Sequence, residues 1–333
     1  LDQAFYGVGM KVYDAMAGAL GLGASQWLGR QETLEHLPTV VTPGLKGGVL
    51  YHDGQFDDAR MAINLMQTAV ELGAVAVNYC SCVRFMSDSS GKLTGAWVID
   101  SETGAEFPVE AAAIINATGV FVDELRRLAT PDAPAMVTPS QGIHVVLPRR
   151  FLPGNSALMV PKTADGRVLF AVPWHDAVIV GTTDTPVREA TSEPRALPEE
   201  YAFVMSHAAK YLAPGPTDDD VLSLFAGLRP LVRTGTGERT ASLSRDHTIV
   251  IGRDGLITIT GGKWTTYRAM GEDVVNRMEE VAGFAHRPSR TVDFPIHGAR
   301  GERPPVEERL AVYGDDAEPI AALEQTDAGN RER

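Results

Sequence analysis

Hydrophobic spacing predicts a helix followed by a strand in the first third of the chain. Between residues 58 and 72, apolar side chains recur at helical spacing, and Gly73 ends the pattern. We expect Asp57 or Asp58 to cap this helix, because a carboxylate can accept from free N–H groups at a helix start. An apolar stretch at 75–79 then predicts a strand. Helix, glycine and strand in this order are typical of a parallel α/β sheet.

Two further stretches extend this α/β pattern. Residues 111–115 are uninterruptedly apolar and predict a strand buried on both faces. They lead into Asn116-Ala117-Thr118-Gly119, whose small residues let the chain pass close to another backbone or to a cofactor. Residues 92–108 predict a hairpin. A strand at 256–260 leads through a glycine pair into a helix with one apolar face, formed by Tyr267, Met270, Val274, Met278 and Val281.

The pattern changes between residues 136 and 183. Short apolar runs separated by Pro, Gly and Asp predict antiparallel strands at 143–147, 157–160, 168–172 and 177–180. A helix at 199–212 and a strand at 248–251 follow. The sequence therefore predicts an α/β fold whose parallel sheet is split in sequence by an inserted antiparallel sheet.

Composition restricts the classes of partner. A length of 333 residues suggests about two domains, and a net charge of −13 argues against nucleic acid as a partner. The uncharged stretch Ala15 to Gly29 is shorter than the roughly 20 apolar residues of a membrane span. Cys80 and Cys82 form no disulfide framework, lack a nearby metal-ligand pattern, and indicate a reducing compartment.

The segment Gly261-Gly262-Lys263-Trp264-Thr265-Thr266-Tyr267-Arg268 is the most informative motif. Two glycines between a strand and a helix let the backbone approach a ligand, and free N–H groups at the helix start favour an anion or a ring oxygen. The alternative is a glycine turn in which Thr265 only caps the helix.

Five motifs in order carry a family resemblance. They are Phe-Asp-Asp-Ala-Arg (56–60), Ser-Gln-Gly-Ile-His-Val-Val (140–146), Val-Gly-Thr-Thr-Asp (180–184), Phe-Ala-Gly-Leu-Arg-Pro-Leu (225–231) and the motif at 261–268. Together they resemble the FAD-dependent glycerol-3-phosphate dehydrogenases of the D-amino-acid-oxidase-like flavoprotein superfamily, over roughly residues 5–285. The resemblance implies an FAD/NAD(P)-binding-type parallel sheet with an inserted antiparallel substrate domain.

The resemblance also implies a division into domains. We expect a helical segment near the substrate domain (1–44), two parts of the FAD-binding domain (45–135 and 236–285), the substrate-binding domain (136–235), and a linker to a further domain (286–333). The family's opening Gly-x-Gly-x-x-Gly turn is not found in this sequence. We therefore expect the chain to be part of something longer, and not to hold FAD tightly by itself.

The implied reaction is the oxidation of sn-glycerol 3-phosphate to dihydroxyacetone phosphate, with hydride transfer from C2 to flavin N5 and electrons passed to quinone. Alternatives are an oxidase that uses oxygen, a related enzyme that oxidises an amino acid or sarcosine, and a non-catalytic scaffold. The resemblance further implies a cytoplasmic location, with peripheral association at the inner face of the cell membrane and a homodimer as additional expectations. No metal is expected, because helix capping explains Asp57 and Asp58.

The resemblance assigns catalytic roles to His144, Arg229 and Lys263. Arg229 is expected to bind the phosphate or polarise the substrate oxygen, and Lys263 to contact the phosphate or the flavin carbonyl within one shared cavity. His144 is the expected proton acceptor, with His52 as its rival. The alternatives are a structural arginine for Arg229 and a core histidine for His144.

The remaining expected contacts are grouped by ligand. Substrate contacts are expected from Arg229, Lys263, His144, Thr183 and Asp184, with Thr182 beside them. Cofactor contacts are expected from Val83, Thr118, Gly119, Gly261, Gly262, Lys263, Trp264, Thr265 and Thr266.

Overall fold

The computed structural model describes residues 9, 14–16, 18, 21–161, 163, 166–233, 246–299, 307–327 and 329. Contacts divide the chain into two units. The first unit comprises Leu1–Gly54, Asn116–Val250 and Thr258–Gly262, and the second comprises Gln55–Ile115, Ile251–Ile257 and Lys263–Arg333. Of the helical segment expected at 1–44, most of the first twenty residues lie outside the described residues. The domain limits expected from the sequence stay predictions.

The elements are numbered in chain order. The helices are α1 (Arg30–His36), α2 (Asp58–Glu71), α3 (Val122–Ala129), α4 (Pro198–Tyr211), α5 (Tyr267–Ala282) and α6 (Ala317–Thr326). The strands are β1 (Gln26–Gly29), β2 (Gly47–Leu50), β3 (Cys80–Ser87), β4 (Leu93–Asp100), β5 (Glu106–Glu110), β6 (Ile115–Asn116), β7 (Val137–Pro148), β8 (Leu158–Val160), β9 (Leu169–Trp174), β10 (Ala177–Gly181), β11 (Thr185–Pro186), β12 (Ser223–Val232), β13 (His247–Ile251) and β14 (Ile257–Gly261).

The first unit is built on an antiparallel sheet with the order β11–β7–β10–β9–β8, and β12 also pairs with β7. The antiparallel strands predicted between residues 143 and 180 are confirmed. Strand β7 is central, since β10, β11 and β12 all pair with it in antiparallel register. The strands β7, β10, β11 and β12 therefore place their side chains on the same sheet.

Alternation along β7 separates a core face from an open face. Ile143, Val145 and Leu147 are 0% exposed and pack in one cluster with β10 and α4. Burying each such side chain contributes roughly 1.5–3 kcal/mol. Because successive side chains of a strand point to opposite faces, Gly142 and His144 lie on the other face. That face holds the polar motifs.

The second unit contains the antiparallel meander β3–β4–β5. Its last two strands confirm the hairpin predicted at 92–108. Both cysteines lie on β3 and are free thiols. The register between β3 and β4 shifts between Cys82 and Arg84, so Val83 occupies an irregular position in this pairing.

Helix α2 begins as the sequence predicts. The Asp57 carboxylate accepts a hydrogen bond from the Arg60 backbone N–H at 2.9 Å, which confirms the capping role. Beyond the helix, Gly73 has a φ of +97°, the left-handed region that favours glycine.

Two predicted strands are wrong. Residues 75–79 form no strand, and Val75 is 89% exposed. The expected buried strand 111–115 is reduced to the short β6, and Ile115 is 36% exposed. β6 lies at the edge of the sheet β13–β14–β6. A strand forms only when a neighbour accepts and donates its backbone hydrogen bonds in a continuous ladder. For 75–79 the described residues show a backbone bond only at the last residue, where the Ser101 N–H donates to the Tyr79 carbonyl at 2.8 Å.

The strands predicted at 248–251 and 256–260 are confirmed as β13 and β14, and the following helix as α5. That helix ends at Gly283 in the left-handed conformation. The stretch expected to be a linker contains 3-10 turns over Glu308–Asp316, which are interrupted by a kink at Gly314 (φ +58°), and then α6. Among the described residues, no helix is long and apolar enough to cross a membrane.

His297 connects this C-terminal stretch to α2. Its Nδ1 lies 2.6 Å from Glu71 Oε1, and its Nε2 lies 2.9 Å from Asp316 Oδ1. The hydrogen bonds to Glu71 and then to Asp316 raise the pKa of His297 above its usual value of 6.5, against a smaller opposing effect of burial. The protonated imidazole donates to both carboxylates.

We expect His297→Gln to destabilise the chain in a pH-dependent way. A group with a raised pKa in the folded state contributes stability that is complete below its unfolded pKa and is lost as pH rises through the folded one. The difference in free energy of unfolding between wild type and variant, from denaturant titrations at about pH 5 to about pH 9, should therefore shrink above about pH 6.5.

His286→Gln is the matched control. His286 also contacts a carboxylate, Glu279, but its side chain is 65% exposed. Its substitution should leave the pH profile unchanged. A His297→Gln effect of constant size at all pH values would contradict the assignment.

Candidate active site

Arg229 on β12 is held by the segment that follows β10. Its Nη1 donates to the Thr183 carbonyl and its Nη2 to Thr182 Oγ1, both at 3.0 Å. Asp184 Oδ1 lies 4.0 Å from Nη1, and the Arg229 side chain is 38% exposed. The guanidinium is thus fixed by neighbouring oxygens while a part of it stays accessible, which suits an anion-binding group.

Gly142 makes the space that the guanidinium occupies. A Cβ atom built on Gly142 would overlap both Nη atoms of Arg229 and would lie 2.6 Å from Thr182 Oγ1. Gly142 was not among the expected site residues. The available signal was a glycine directly before the strand predicted at 143–147, and a glycine in or beside a strand often marks a close approach of another group.

His144 lies on the open face of β7, two residues from Gly142. Its ring stacks on Phe225 of β12, with centroids 5.1 Å apart and an interplanar angle of 19°. It stands opposite Gly181, where any Cβ would collide with the imidazole. This placement favours a role toward a ligand over the alternative of a core histidine, because the core lies on the other face. The rival His52 is exposed and packs against Gly23.

Thr183 is 1% exposed, so its side chain is covered by protein. The hydroxyl donates to Glu200 Oε1 at 2.9 Å and accepts from the Ile143 backbone N–H at 3.1 Å. Thr183 contributes to the site through its carbonyl, and the expected contact of its hydroxyl with substrate is not favoured by this geometry. The neighbouring Asp184 accepts a hydrogen bond from Ser140 on β7.

Glu200 stays ionised at neutral pH although it is buried. Burial raises the pKa of this carboxyl group, but hydrogen bonds from the Leu197 backbone and from the side chains of Thr185, Gln141 and Thr183 outweigh that effect and lower it. Neither Ser140 nor Glu200 was expected from the sequence to belong to the site. Only the pairing of distant segments reveals them.

The glycine pair of the 261–268 motif has the backbone expected of it, with φ of +77° at Gly261 and +71° at Gly262. A Cβ on Gly261 would lie 2.7 Å from Val232 Cγ2 and 2.8 Å from the Asp246 carbonyl, so packing alone requires this glycine. Thr266, rather than the expected Thr265, closes the turn, since its hydroxyl donates to the Lys263 carbonyl at 2.9 Å.

The side chains of this turn are open to a ligand. Trp264 is 39% exposed and contacts the ring of Tyr267. Lys263, Thr265 and Thr266 are exposed as well. These four residues belong to the second unit and Arg229 to the first, and the expected common cavity of Lys263 and Arg229 stays a prediction.

The expected cofactor residues after β6 are also accessible. The Thr118 hydroxyl donates to Asn116 Oδ1 at 2.7 Å, and Asn116 Nδ2 donates to the Val122 carbonyl at 2.9 Å. Gly119 has a φ of +60°, and nothing lies within 4 Å of the place where a Cβ would stand. Open backbone of this kind suits the close approach of a cofactor. Val83, in the second unit, is half-buried at the bulge of β3.

Among the residues that the structure describes, no group of three or more His, Cys, Asp and Glu side chains is arranged to hold a metal ion. The polar groups around Arg229 instead form one hydrogen-bonded arrangement on the open face of the sheet, with His144 on the same face.

The comparisons with known proteins agree with this fold. Residues 7–272 match the family model described as DAO, FAD dependent oxidoreductase. The chain therefore belongs to this family of FAD-dependent oxidoreductases. The predicted FAD/NAD(P)-binding-type fold with an inserted antiparallel sheet is confirmed.

Within the family, the similar relatives are glycerol-3-phosphate dehydrogenases. The human mitochondrial enzyme is 39% identical over 341 residues, which cover 96% of this chain and 47% of that protein. A probable enzyme of this name from Caenorhabditis elegans is 41% identical over 84% of this chain and 39% of its own. The chain thus spans about half the length of the curated relatives it matches.

A solved structure of a glycerol-3-phosphate dehydrogenase is also similar to this chain. Glycerol-3-phosphate dehydrogenase from Bacillus halodurans, complexed with FAD, has a TM-score of 0.73 at 29% identity and covers 90% of this chain and 59% of its own. L-alpha-glycerophosphate oxidase from Mycoplasma pneumoniae, with FAD bound, has a TM-score of 0.65 at 19% identity, over 84% of this chain and 71% of its own. The second likeness concerns the fold alone.

Substitution of Gly142 tests whether the Arg229 guanidinium needs the space that the absent side chain leaves. Gly142→Ala should displace the Arg229 guanidinium and lower the free energy of unfolding by about 1–3 kcal/mol, the usual cost of overpacking. Denaturant titration gives the energy, and a crystal structure of the variant gives the guanidinium position.

Gly227→Ala is the matched control, because Gly227 stands directly opposite Gly142 on β12 and has nothing within 4 Å of a built Cβ. Its unfolding free energy should stay within about 0.5 kcal/mol of wild type. Equal effects of the two substitutions would show that space near Arg229 is not limiting.

Proposed function

We propose that the protein oxidises sn-glycerol 3-phosphate to dihydroxyacetone phosphate with FAD as cofactor. The family and the names of its relatives support this substrate. The observation that carries the proposal is the Arg229 guanidinium, which is held by Thr182 and Thr183 on the open face of the sheet and remains partly exposed. A planar cation fixed in this way matches two oxygens of a phosphate.

The Arg229 guanidinium is a cation in an acidic chain, with the Asp184 carboxylate 4.0 Å from its Nη1. The net charge of −13 offers no long-range attraction to a phosphate, so capture depends on specific cations. Arg229 is the first of these, and Lys263 is the second in our proposal, either at the phosphate or at the flavin carbonyl. A zwitterionic amino acid would need fewer cations than a phosphate dianion does, which favours the phosphate substrate.

His144 takes the proton of the substrate hydroxyl in this proposal. An imidazole can accept a proton near neutral pH, and the stacked Phe225 restricts the orientation of the ring. Phe225 also covers one face of the imidazole, which limits the access of water. His52 remains the alternative base.

The described residues fit a flavin through backbone groups and small side chains. Contacts with it are assigned to the backbone of Gly261 and Gly262, to Thr118 and Gly119, to Val83, and to the exposed turn formed by Lys263, Trp264, Thr265 and Thr266. FAD, when bound, supplies the acceptor for the hydride that leaves C2 of the substrate. The free backbone N–H groups at the start of α5 stabilise negative charge placed near them.

Quinone is the proposed electron acceptor, and oxygen is the alternative. The relatives named dehydrogenases support the first choice. A cytoplasmic location, peripheral association at the inner face of a membrane, and a homodimer are parts of the same proposal. Turnover with a soluble quinone analogue under anaerobic conditions, against turnover with oxygen alone, separates the two acceptors.

The substrate is tested by stopped-flow measurement of flavin bleaching in the flavin-loaded protein. Glycerol 3-phosphate should bleach the flavin rapidly, whereas sarcosine and D-alanine should not. Bleaching by either amine, and none by glycerol 3-phosphate, would replace the proposed substrate. No bleaching by any of them would favour a non-catalytic scaffold.

Arg229→Ala should raise KM for glycerol 3-phosphate by about 10- to 100-fold, because hydrogen bonds to charged groups contribute about 1.5–3 kcal/mol. Steady-state kinetics on the flavin-loaded protein measure this change. Arg277→Ala is the control, since Arg277 forms an exposed ion pair with Glu280 on α5. Similar KM values for the two variants would remove Arg229 from the binding site.

His144→Gln should lower the rate of flavin reduction at neutral pH by about 100-fold or more, since general bases contribute 10²–10⁴-fold. The variant should also lose the rise of the rate with pH that an imidazole base produces. Stopped-flow traces across pH measure both. If His52→Gln shows this loss and His144→Gln does not, the base is His52.

A further inference from the structure

Glu200 is a buried carboxylate behind the segment that holds Arg229. It lies in the first turn of α4 and is 2% exposed. Its Oε2 accepts from the Leu197 N–H at 3.0 Å and from Gln141 Nε2 at 2.7 Å, and its Oε1 accepts from Thr183 Oγ1 at 2.9 Å. The carboxylate therefore joins the helix start, strand β7 and the segment after β10.

Thr183 relays this contact toward the site. Its hydroxyl lies between the carboxylate of Glu200 and the backbone N–H of Ile143, so both its donor and one acceptor position are used. Its carbonyl accepts from Arg229 Nη1, and the adjacent Thr182 hydroxyl accepts from Nη2. The segment Thr182-Thr183 thus contacts Glu200 through the Thr183 hydroxyl, and it also supplies both oxygen atoms that accept hydrogen bonds from the Arg229 guanidinium.

We propose that Glu200 is a positioning residue for Arg229: by fixing Thr183, it orients the two oxygens that hold the guanidinium and so sets the affinity of the site for its anionic substrate. The identity of that substrate rests on the proposed function. The positioning role itself rests only on the hydrogen bonds of the first unit.

The chemistry of the four partners requires a group that only accepts. The Leu197 N–H, the Gln141 amide and the Thr183 hydroxyl all donate to Glu200, and so does the Thr185 side chain. A glutamine at this position would direct its own N–H group toward one of these donors, and a buried donor without an acceptor is costly. Glu200→Gln keeps the shape of the side chain and breaks this arrangement.

A purely structural role as a helix cap makes a different prediction. The bond from Leu197 N–H caps α4, and its loss would lower stability without reaching Arg229. The hydrogen bond from the Thr183 hydroxyl is the one that connects Glu200 to the residues holding Arg229. Thr183→Val removes that bond while leaving the contacts of Glu200 with Leu197 and Gln141 in place.

Kinetics on the flavin-loaded protein test the proposal. Glu200→Gln and Thr183→Val should each raise KM for glycerol 3-phosphate about tenfold, the effect of one hydrogen bond of about 1.4 kcal/mol, with kcat changed much less. The double variant should be no worse than either single one, because both break the same link. Thr183→Ser, which keeps the hydroxyl, should lie closer to wild type than Thr183→Val does.

Glu279→Gln is the control for the loss of a buried helical carboxylate. Glu279 on α5 is 7% exposed and accepts from the Arg287 N–H, but it belongs to the second unit. This variant should lose stability without a change in KM. An equal rise of KM in Glu279→Gln and Glu200→Gln would show a general loss of structure and overturn the proposal.

A second readout does not depend on turnover. Modification of Arg229 by phenylglyoxal, followed by peptide mass spectrometry with Arg277 as the internal reference, should be several-fold faster in Glu200→Gln and Thr183→Val than in wild type. If wild type does not oxidise glycerol 3-phosphate, the proposed function fails and this labelling alone decides the positioning role. Unchanged labelling of Arg229 in folded Thr183→Val overturns that role.

Discussion

The pair of hydrogen bonds that Arg229 donates to Thr182 and Thr183 is the interaction on which the candidate site depends. It joins strand β12 to the segment after β10, across the central strand β7. A half-buried cation needs acceptors from the protein, because burial without them disfavours the charge. Here the two hydrogen-bond acceptors are a backbone carbonyl and a hydroxyl, and the Asp184 carboxylate lies 4.0 Å from Nη1.

The two faces of β7 explain how one sheet carries both a core and a site. The side chains of Ile143, Val145 and Leu147 are fully buried on one face and stabilise the first unit. The intervening positions, with Gly142 and His144, are thereby directed to the other face. A shift of one residue in strand register would exchange these faces, so the packing of the core also sets the position of the site.

Small residues complete this arrangement. Gly142 leaves room for the guanidinium, and Gly181 leaves room for the imidazole of His144. Neither position has the left-handed backbone that requires glycine elsewhere, as at Gly261. Their requirement is spatial, and it comes from side chains located far along the sequence. Glu200 reaches the same region from the far side of Thr183, although it lies 57 residues after Ile143 in the sequence.

The sequence by itself determined the local elements, the inserted antiparallel sheet and the family. Periodicity located α2 and α5, turn residues bounded the short strands, and ordered motifs identified Arg229 and His144 as candidates. These features depend on neighbouring residues or on motifs that can be read directly. The predictions of strands at 75–79 and 111–115 were wrong, because an apolar run becomes a strand only when a partner strand pairs with it.

Only the tertiary structure decided which residues surround Arg229. Ser140, Gly142, Thr183 and Glu200 come from three separate segments, and strand register together with the packing of α4 on the sheet brings them together. It also decided that the Thr183 hydroxyl is directed at Glu200, and that Thr266 closes the turn after the glycine pair. Such contacts depend on distance in space, which hydrophobic periodicity and motif order do not encode.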